Sequence, residues 1–555
     1  METWTSGRCD GGRQRDLCYI LQPARDMNLF ERIFTSDRAV STAVLFEQRE
    51  ISYANLRDET VRIAEILNAL GVGRGDRVSL LLTDSPEFIA SFVAVISIGA
   101  IAVPINLALR QGEQLFILKD CGACAAIVEA QAAQSLFQHA RPPAGLRQVI
   151  AVKRAADQPS VTITGVDTQD FATARRLPFA EIQESASGGA LPYGRASDTD
   201  ADAFILYTSG STGEPKGAVH SQADIFYTNE TYCGEVLNLR EGDRLFSSSR
   251  LPFAYGLGNS FTFPLLNGLT TVLCREKPTP QVVNQVFRKD RPTIFFGVPV
   301  VYRMLLEHHR NVAPLETESL RFCVSAGEAL PAQLGEEWEQ EFGVPVLDAI
   351  GSTEMLHMFM SNHLGDVRYG SSGKLLKGYA AKLIDHEGTP TARGEVGNLW
   401  ISGRSSASRY WQRPEISNET FIDGWTRTGD LYRCDADGFW WHMGRSDDCF
   451  KPTGQWVSPV EVEGVLLRHE ATRAAAVVEG FDDAGLSEVC AFVVLEEGTE
   501  PQKSETQLRQ LCADVLPRFK QPRRYLFVPE LPYTATGKVQ RFKLREQLRS
   551  SEFNL

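Results

Sequence analysis

Residues Tyr207 to Gly217 read YTSGSTGEPKG, with three glycines, two threonines, two serines and one lysine in eleven positions. Hydroxyls and backbone N–H groups donate hydrogen bonds, lysine adds a full positive charge, and glycine lets the main chain turn its amides inward. This combination suits the oxygens of a phosphate chain, although by composition alone it suits a pliant linker equally well. The preceding AFILY, Ala203 to Tyr207, tips the balance toward phosphate. A short apolar run reads as a buried strand, and ligands of open α/β sheets bind beyond the carboxyl ends of strands. Thr208, Ser209, Gly210, Ser211, Thr212, Gly213 and Lys216 are therefore the candidate phosphate ligands. Spacing excludes a Walker A loop, because Pro215 precedes Lys216 and Gly217 follows it.

Other stretches carry complementary chemistry. In DAIGSTEM, Asp348 to Met355, Glu354 can offer a carboxylate oxygen to a magnesium ion on ATP, and Thr353 can bond a phosphate oxygen. In SAGEALP, Ser325 to Pro331, Gly327 lets a flat base approach the backbone, although a plain turn would read the same. In TRTGDLYRCDADGFWWHMGRSDD, Thr426 to Asp448, Asp430 can accept from both hydroxyls of a ribose, and Arg445 can donate to ribose or phosphate. LPYTATGKVQRFKLRE, Leu531 to Glu546, carries Lys538 behind a Thr-Gly turn tip. Taken one at a time, each also reads as an ordinary turn, a surface arginine or a solvated basic tail.

These residues need a scaffold. Apolar runs (RVSLLL, AAIVEA, AFILYT, TTVLC, TIFFGV, NLWIS) alternate with helical stretches such as YANLRDETVRIAEILNAL. Strands alternating with helices imply an α/β fold, layered, with parallel-rich sheets. The run Phe88 to Ile105 reaches the length of a membrane span. Gly99 and Pro104 divide it, however, so a buried helix turning into a buried strand is expected. The turn-rich, charged DGFWWHMGRSDD suggests a boundary near Ser446. It would separate a large N-terminal domain, residues 27–445, from a small α+β C-terminal cap, residues 446–555. Residues 1–26 are polar and patternless, so disorder is expected there and the functional start is expected at Met27.

The net charge of −13 argues against broad nucleic-acid binding and against a basic membrane-surface face. The eleven cysteines are scattered. The Cys121–Cys124 pair has no partner pair, so reduced structural thiols and a cytoplasmic location are expected. METWTSGRCDGGRQRD has no apolar core of a secretory signal, and the terminal EFNL is no peroxisomal address. Composition leaves the oligomeric state open between monomer and homodimer.

Together the motifs resemble those of the acyl-adenylate-forming enzymes, which include acyl-CoA synthetases, luciferases and peptide-synthetase adenylation domains. The likeness runs from about Leu29 to Leu544. It implies ATP and CoA as co-substrates and Mg²⁺ held at Glu354. Ser325, Ala326, Gly327, Glu328, Ala349 and Ile350 would line the adenine, with Asp348 near its amino group. Lys538 matches the catalytic lysine, which bridges the carboxylate and the α-phosphate; such a cation lowers the barrier only if desolvated and aimed. Asp447 matches the hinge of the cap. Gly454 matches the glycine that admits the thiol arm, and Lys451 would approach the adenylate carboxyl. Most members have an aromatic residue where this chain has Ile350, a departure that the benzoate-CoA ligase branch tolerates.

RLPFAYGLGNSFTFPL, Arg250 to Leu265, and GSTEMLHMF, Gly351 to Phe359, resemble the acyl-pocket segments of that branch. The resemblance implies that Ala254, Tyr255, Gly327, Gly351, His357 and Met358 surround an aryl ring; aromatic and small apolar walls with a few polar fixers suit a flat acid. The expected activity is thus an AMP-forming aryl-acid CoA ligase. Three alternatives stay open: loading of an aryl acid onto a carrier-protein pantetheine, ligation of another small or medium carboxylic acid, and a non-catalytic nucleotide-binding scaffold. A P-loop NTPase is disfavoured by the Gly-Lys spacing.

Overall fold

The computed structural model describes residues 27–137, 142–152, 198–208, 214–385, 387–450, 452, 455, 457–482, 485–533 and 539–549. The expectation for residues 1–26 lies outside them. Among the described residues, four sheets form, and the first two are the parallel-rich sheets read from the alternating pattern. In the nine-stranded sheet, six central strands run parallel: Val346–Gly351, Phe322–Ser325, Ile294–Gly297, Arg244–Ser247, Thr270–Leu273 and Thr42–Phe46. Its antiparallel strands lie at the edges. The seven-stranded sheet is parallel through Asp202–Thr208, Ile101–Pro104, Arg77–Leu81, Ala125–Glu129 and Gln148–Val152. Lys216–Ser221 and Arg409–Tyr410 extend it antiparallel on one side.

One helix joins the two sheets. Pro86–Ser97 is buried along all of its twelve residues, because its sequence is apolar on every face. Ser85 caps its N-terminus and Pro86 starts it; Gly99, at φ +75°, turns the chain back into the strand Ile101–Pro104. The long apolar run is thus a buried helix and a buried strand. Among the described residues, no helix is long and apolar enough to cross a membrane. Phe92 on this helix meets Phe204 of the seven-stranded sheet at 5.4 Å, and also Phe261 at 5.4 Å.

The third sheet holds Ala380–Ile384, Gly397–Ser402, Trp425–Cys434, Phe421–Ile422 and Trp440–Arg445. After Arg445 the chain builds a smaller unit. Its strands Thr472–Phe481, Ser487–Leu495 and Arg524–Phe527 pack against the helices Pro459–Leu466, Pro501–Val515 and Arg541–Arg549 around their own apolar clusters. Cys121 and Cys124 are buried free thiols, as the missing partner pair implied.

Replacing Phe92 with Ala should remove the ring that packs against both Phe204 and Phe261 and cost about 3–5 kcal/mol. A lowered denaturant midpoint at unchanged slope would show it; an unchanged midpoint would contradict this packing.

Candidate active site

The three large sheets deliver their functional side chains to one place. The first comes from the strands Asp202–Thr208 and Lys216–Ser221, which form an antiparallel hairpin in the register Thr208↔Lys216 and Tyr207↔Gly217. The described residues on either side of the candidate phosphate loop therefore face each other at the first strand's carboxyl end. Thr208 and Lys216 flank it, and Ser209, Gly210, Ser211, Thr212 and Gly213 lie outside the described residues. The hairpin's base is anchored from outside: the Tyr207 hydroxyl donates to Asp120 Oδ2 at 2.6 Å, and Arg413 donates to Asp120 Oδ1 at 2.7 Å. Gly217 is needed for packing rather than for turning amides inward. A Cβ there would sit 2.5 Å from Ile205 Cγ2 and 3.0 Å from the Tyr207 ring.

Glu354 lies opposite Lys216. Its Oε1 accepts a 2.6 Å hydrogen bond from the Tyr410 hydroxyl, and the Lys216 ammonium lies 4.3 Å from the centre of the same tyrosine ring. Burial lowers the pKa of Lys216, Glu354 opposes that shift, Arg445 adds to it and Asp447 opposes it. Burial pushes the Tyr410 phenol well up, with Glu354 contributing in the same direction, so the phenol stays a donor to the carboxylate. Lys216, Glu354, Tyr410, Arg445 and Asp447 thus form one electrostatic group drawn from three sheets.

The third sheet contributes Asp430 and Arg445, directly opposite each other on neighbouring strands. Arg445 Nη1 donates to Asp430 Oδ1 at 3.2 Å, and His442 Nε2 stands 3.5 Å from the same oxygen. Asp430, first, raises the Arg445 pKa. On the nine-stranded sheet, Ser325 and Ala326 are buried and Gly327 takes φ +91°, where L side chains are strained. The nearest atom to a Cβ at Gly327 would be 3.7 Å away, which leaves the face above it open to a flat ligand. Asp348 is buried beside Ala349 and Ile350. Its Oδ2 accepts from Leu330 N at 3.4 Å, its Oδ1 has no partner, and burial pushes the carboxyl well above the usual range. Glu328 points toward the C-terminal unit, where it acts electrostatically on Tyr533 and Arg541.

A short turn leads from Glu354 to the candidate ring pocket. Leu356 adopts φ +63°, and His357 follows, buried between Phe263 at 4.6 Å, Tyr232 at 5.1 Å and Tyr255 at 6.0 Å. Both of its ring nitrogens lack a hydrogen-bond partner, and burial lowers its pKa to about 3. Close approach is built in. A Cβ at Gly258 would meet His357 Cδ2 at 2.4 Å, and one at Gly351 would meet the His357 carbonyl oxygen at 2.5 Å. The Tyr255 hydroxyl reaches the carbonyls of Gly297 and Val324, each at 3.2 Å. Ala254 and Met358 are buried nearby in sequence, Met358 in the same apolar cluster as Tyr232 and Phe263.

Sequence reasoning missed Tyr410, His442, Tyr232 and Phe263. His442 sits on the short aromatic strand before Arg445, where the register with Asp430 could have flagged it. Nothing local marks Tyr410. Lys451, Gly454 and Lys538 lie outside the described residues.

The AMP-binding enzyme family matches residues 34–411, and the AMP-binding enzyme C-terminal domain matches residues 461–538. The chain belongs to the AMP-binding enzymes. Among relatives of this AMP-binding enzyme, a benzoate–CoA ligase of Thauera aromatica is 39% identical over 93% of this chain and 95% of its own. A solved anthranilate CoA ligase in complex with anthranoyl-AMP is 35% identical, with a TM-score of 0.85, over 94% of this chain and 97% of that one. A benzoate CoA ligase from Burkholderia xenovorans LB400 is 37% identical, with a TM-score of 0.81, over 94% and 100%.

His357 makes stability depend on pH. Its ordinary value is 6.5 and its folded value about 3, so in that window the unfolded chain binds a proton that the folded chain refuses. The stabilisation is present above 6.5 and is lost as pH falls. Between about pH 7 and pH 5, the wild type should lose about 2 kcal/mol more than His357→Leu in chemical unfolding. Parallel losses in the two proteins would refute the buried neutral imidazole.

Proposed function

We propose that this chain is an ATP-dependent aryl-acid CoA ligase of benzoate-like specificity. One observation carries the reading: the turn Ser352 to His357 places Glu354 beside Lys216 and Tyr410 at one end and His357 within Tyr232, Tyr255 and Phe263 at the other. A carboxylic acid whose ring lies against that aromatic cluster would present its carboxylate to the phosphate-binding charges. The acids named for the relatives, benzoate and anthranilate, are of that shape.

In the first half-reaction a carboxylate oxygen attacks the α-phosphorus of ATP. An O–P bond forms, the bond to pyrophosphate breaks, and acyl-AMP remains. Residues 208–213 and Lys216 hold the phosphate oxygens, with the Thr353 hydroxyl as a further donor. Asp430 and Arg445 take the ribose. The unpartnered Asp348 oxygen accepts from the adenine amino group, and Ser325 to Glu328 with Ala349 and Ile350 wall the base. Lys538 bridges the carboxylate and the α-phosphate. Among the described residues, no group of three or more His, Cys, Asp or Glu is placed to hold a metal. Glu354 would offer one carboxylate oxygen to a Mg²⁺ ion carried on ATP, and the ion would neutralise phosphate charge.

In the second half-reaction, the thiol sulfur of CoA attacks the acyl carbon and AMP departs with the electrons of the C–O bond. The thiol proton passes to solvent. We place the domain boundary near Ser446, so that the C-terminal domain rotates about Asp447 between the half-reactions. Gly454 then admits the thiol arm, and Lys451 approaches the acyl carboxyl. A cytoplasmic location suits the nucleotide and CoA substrates.

Carboxylate-dependent ATP–pyrophosphate exchange across benzoate, hydroxybenzoates, anthranilate, cyclohexanecarboxylate and octanoate should favour the aryl acids. A strong preference for octanoate would remove the aryl assignment, and failure of free CoA as acceptor would point to a carrier-protein thiol. Lys538→Ala should lower adenylate formation by about a hundredfold or more while sparing thioester formation from pre-made acyl-AMP. Equal damage to both steps would contradict the rotation scheme.

A further inference from the structure

We propose that His220, backed by Asp224, is a positioning residue that sets Glu354 and His357 jointly by holding the turn between them; this rests on the ligase reading of that turn. His220 lies on the strand Lys216–Ser221, four residues after Lys216 and on the same face. One strand therefore carries both a phosphate-binding cation and an anchor for the metal-binding turn. The imidazole is fully buried, and its ring stacks on Phe204 with centroids 5.3 Å apart.

Both ring nitrogens face acceptors. Nε2 lies 2.8 Å from the Thr353 carbonyl oxygen, and Nδ1 lies 2.8 Å from Asp224 Oδ2. A carbonyl only accepts, so Nε2 carries a hydrogen. Asp224 Oδ2 also accepts from Ser221 N at 3.1 Å, and its Oδ1 takes the Ser221 hydroxyl at 2.9 Å, so the carboxylate is used as an acceptor throughout. The Asp224 contact at Nδ1 thereby fixes the orientation of the ring whose Nε2–H donates to the Thr353 carbonyl.

Thr353 is the point from which that bond controls both ends. The same carbonyl accepts from Leu356 N at 3.1 Å, closing the turn over Leu356. A side-chain-bearing residue keeps Leu356's positive φ only when its surroundings hold it there. Ala407 N to the Glu354 carbonyl at 2.7 Å and Ser405 Oγ to the Met355 carbonyl at 2.9 Å are further supports of the turn. Losing the imidazole N–H loosens the carbonyl that stands between Glu354 on one side and His357 on the other.

The test compares His220→Leu, which has no donor, with His220→Gln, whose amide N–H can reach the carbonyl, in the full chain. Titration calorimetry of ATP with and without Mg²⁺ measures how much the metal strengthens binding. Exchange kinetics give kcat and KM for acid and ATP. His220→Leu should lose most of the Mg²⁺ enhancement and about tenfold in kcat, with KM for ATP within about threefold, while His220→Gln stays within about threefold of wild type throughout. Wild-type behaviour of His220→Leu would overturn the proposal. So would equal losses in the two variants, which would make His220 a packing residue. If the wild type exchanged with no carboxylate, the ligase reading would fall while the Mg²⁺ titration still decided the role of His220.

Discussion

Charges of both signs have to share a half-buried space around Glu354, and the placement of the surrounding elements follows from that requirement. Lys216 alone there would be driven toward its neutral form by desolvation, as the direction of its shift records. Glu354 and Asp447 oppose that loss, Tyr410 supplies a hydrogen bond to the carboxylate, and Arg445 is held by Asp430. Each of these groups is affordable only with the others present, because a buried charge without a partner is far costlier than a paired one. Three sheets must therefore end at the same point.

The turn after Glu354 transmits this arrangement to the ring pocket. It is short, carries a residue at positive φ, and is tightly enclosed. Glycines at 351 and 258 leave room for His357 where any side chain would collide. Such a segment has few alternative packings, since close-packed interiors do not deform continuously. Geometry around Glu354 and geometry around His357 are in this way two ends of one short turn.

The C-terminal domain shows the same economy with charge. Arg541 bonds both carboxylate oxygens of Glu463 at 2.8 Å, and Arg545 bonds Asp448 at 3.0 Å, one residue past the proposed hinge. Arg541 follows Lys538 by three residues, so the segment that carries the lysine is tied to the body of its own domain through a paired, largely buried guanidinium. Glu328, which follows the strand Phe322–Ser325, acts electrostatically on that arginine.

Local pattern was enough for the elements and for much of the chemistry. The apolar alternation implied an α/β core. The run from Phe88 read as a helix and a strand because Gly99 interrupts it, and the helical stretch YANLRDETVRIAEILNAL is the helix Tyr53–Ala69. Thr353, Glu354, Asp430 and Arg445 could be named from residue type and motif, and the fold sets Asp430 and Glu354 around Arg445. What only the folded chain decided was proximity. Tyr410 reaches Glu354 across 56 positions, and His220 reaches Thr353 across 133. Gly217 is required by the Ile205 and Tyr207 side chains on the neighbouring strand. Periodicity is a property of neighbours along the chain, whereas hydrogen bonding and desolvation belong to neighbours in space. Residue types thus set what chemistry was available, and the folded chain decided which groups stand together.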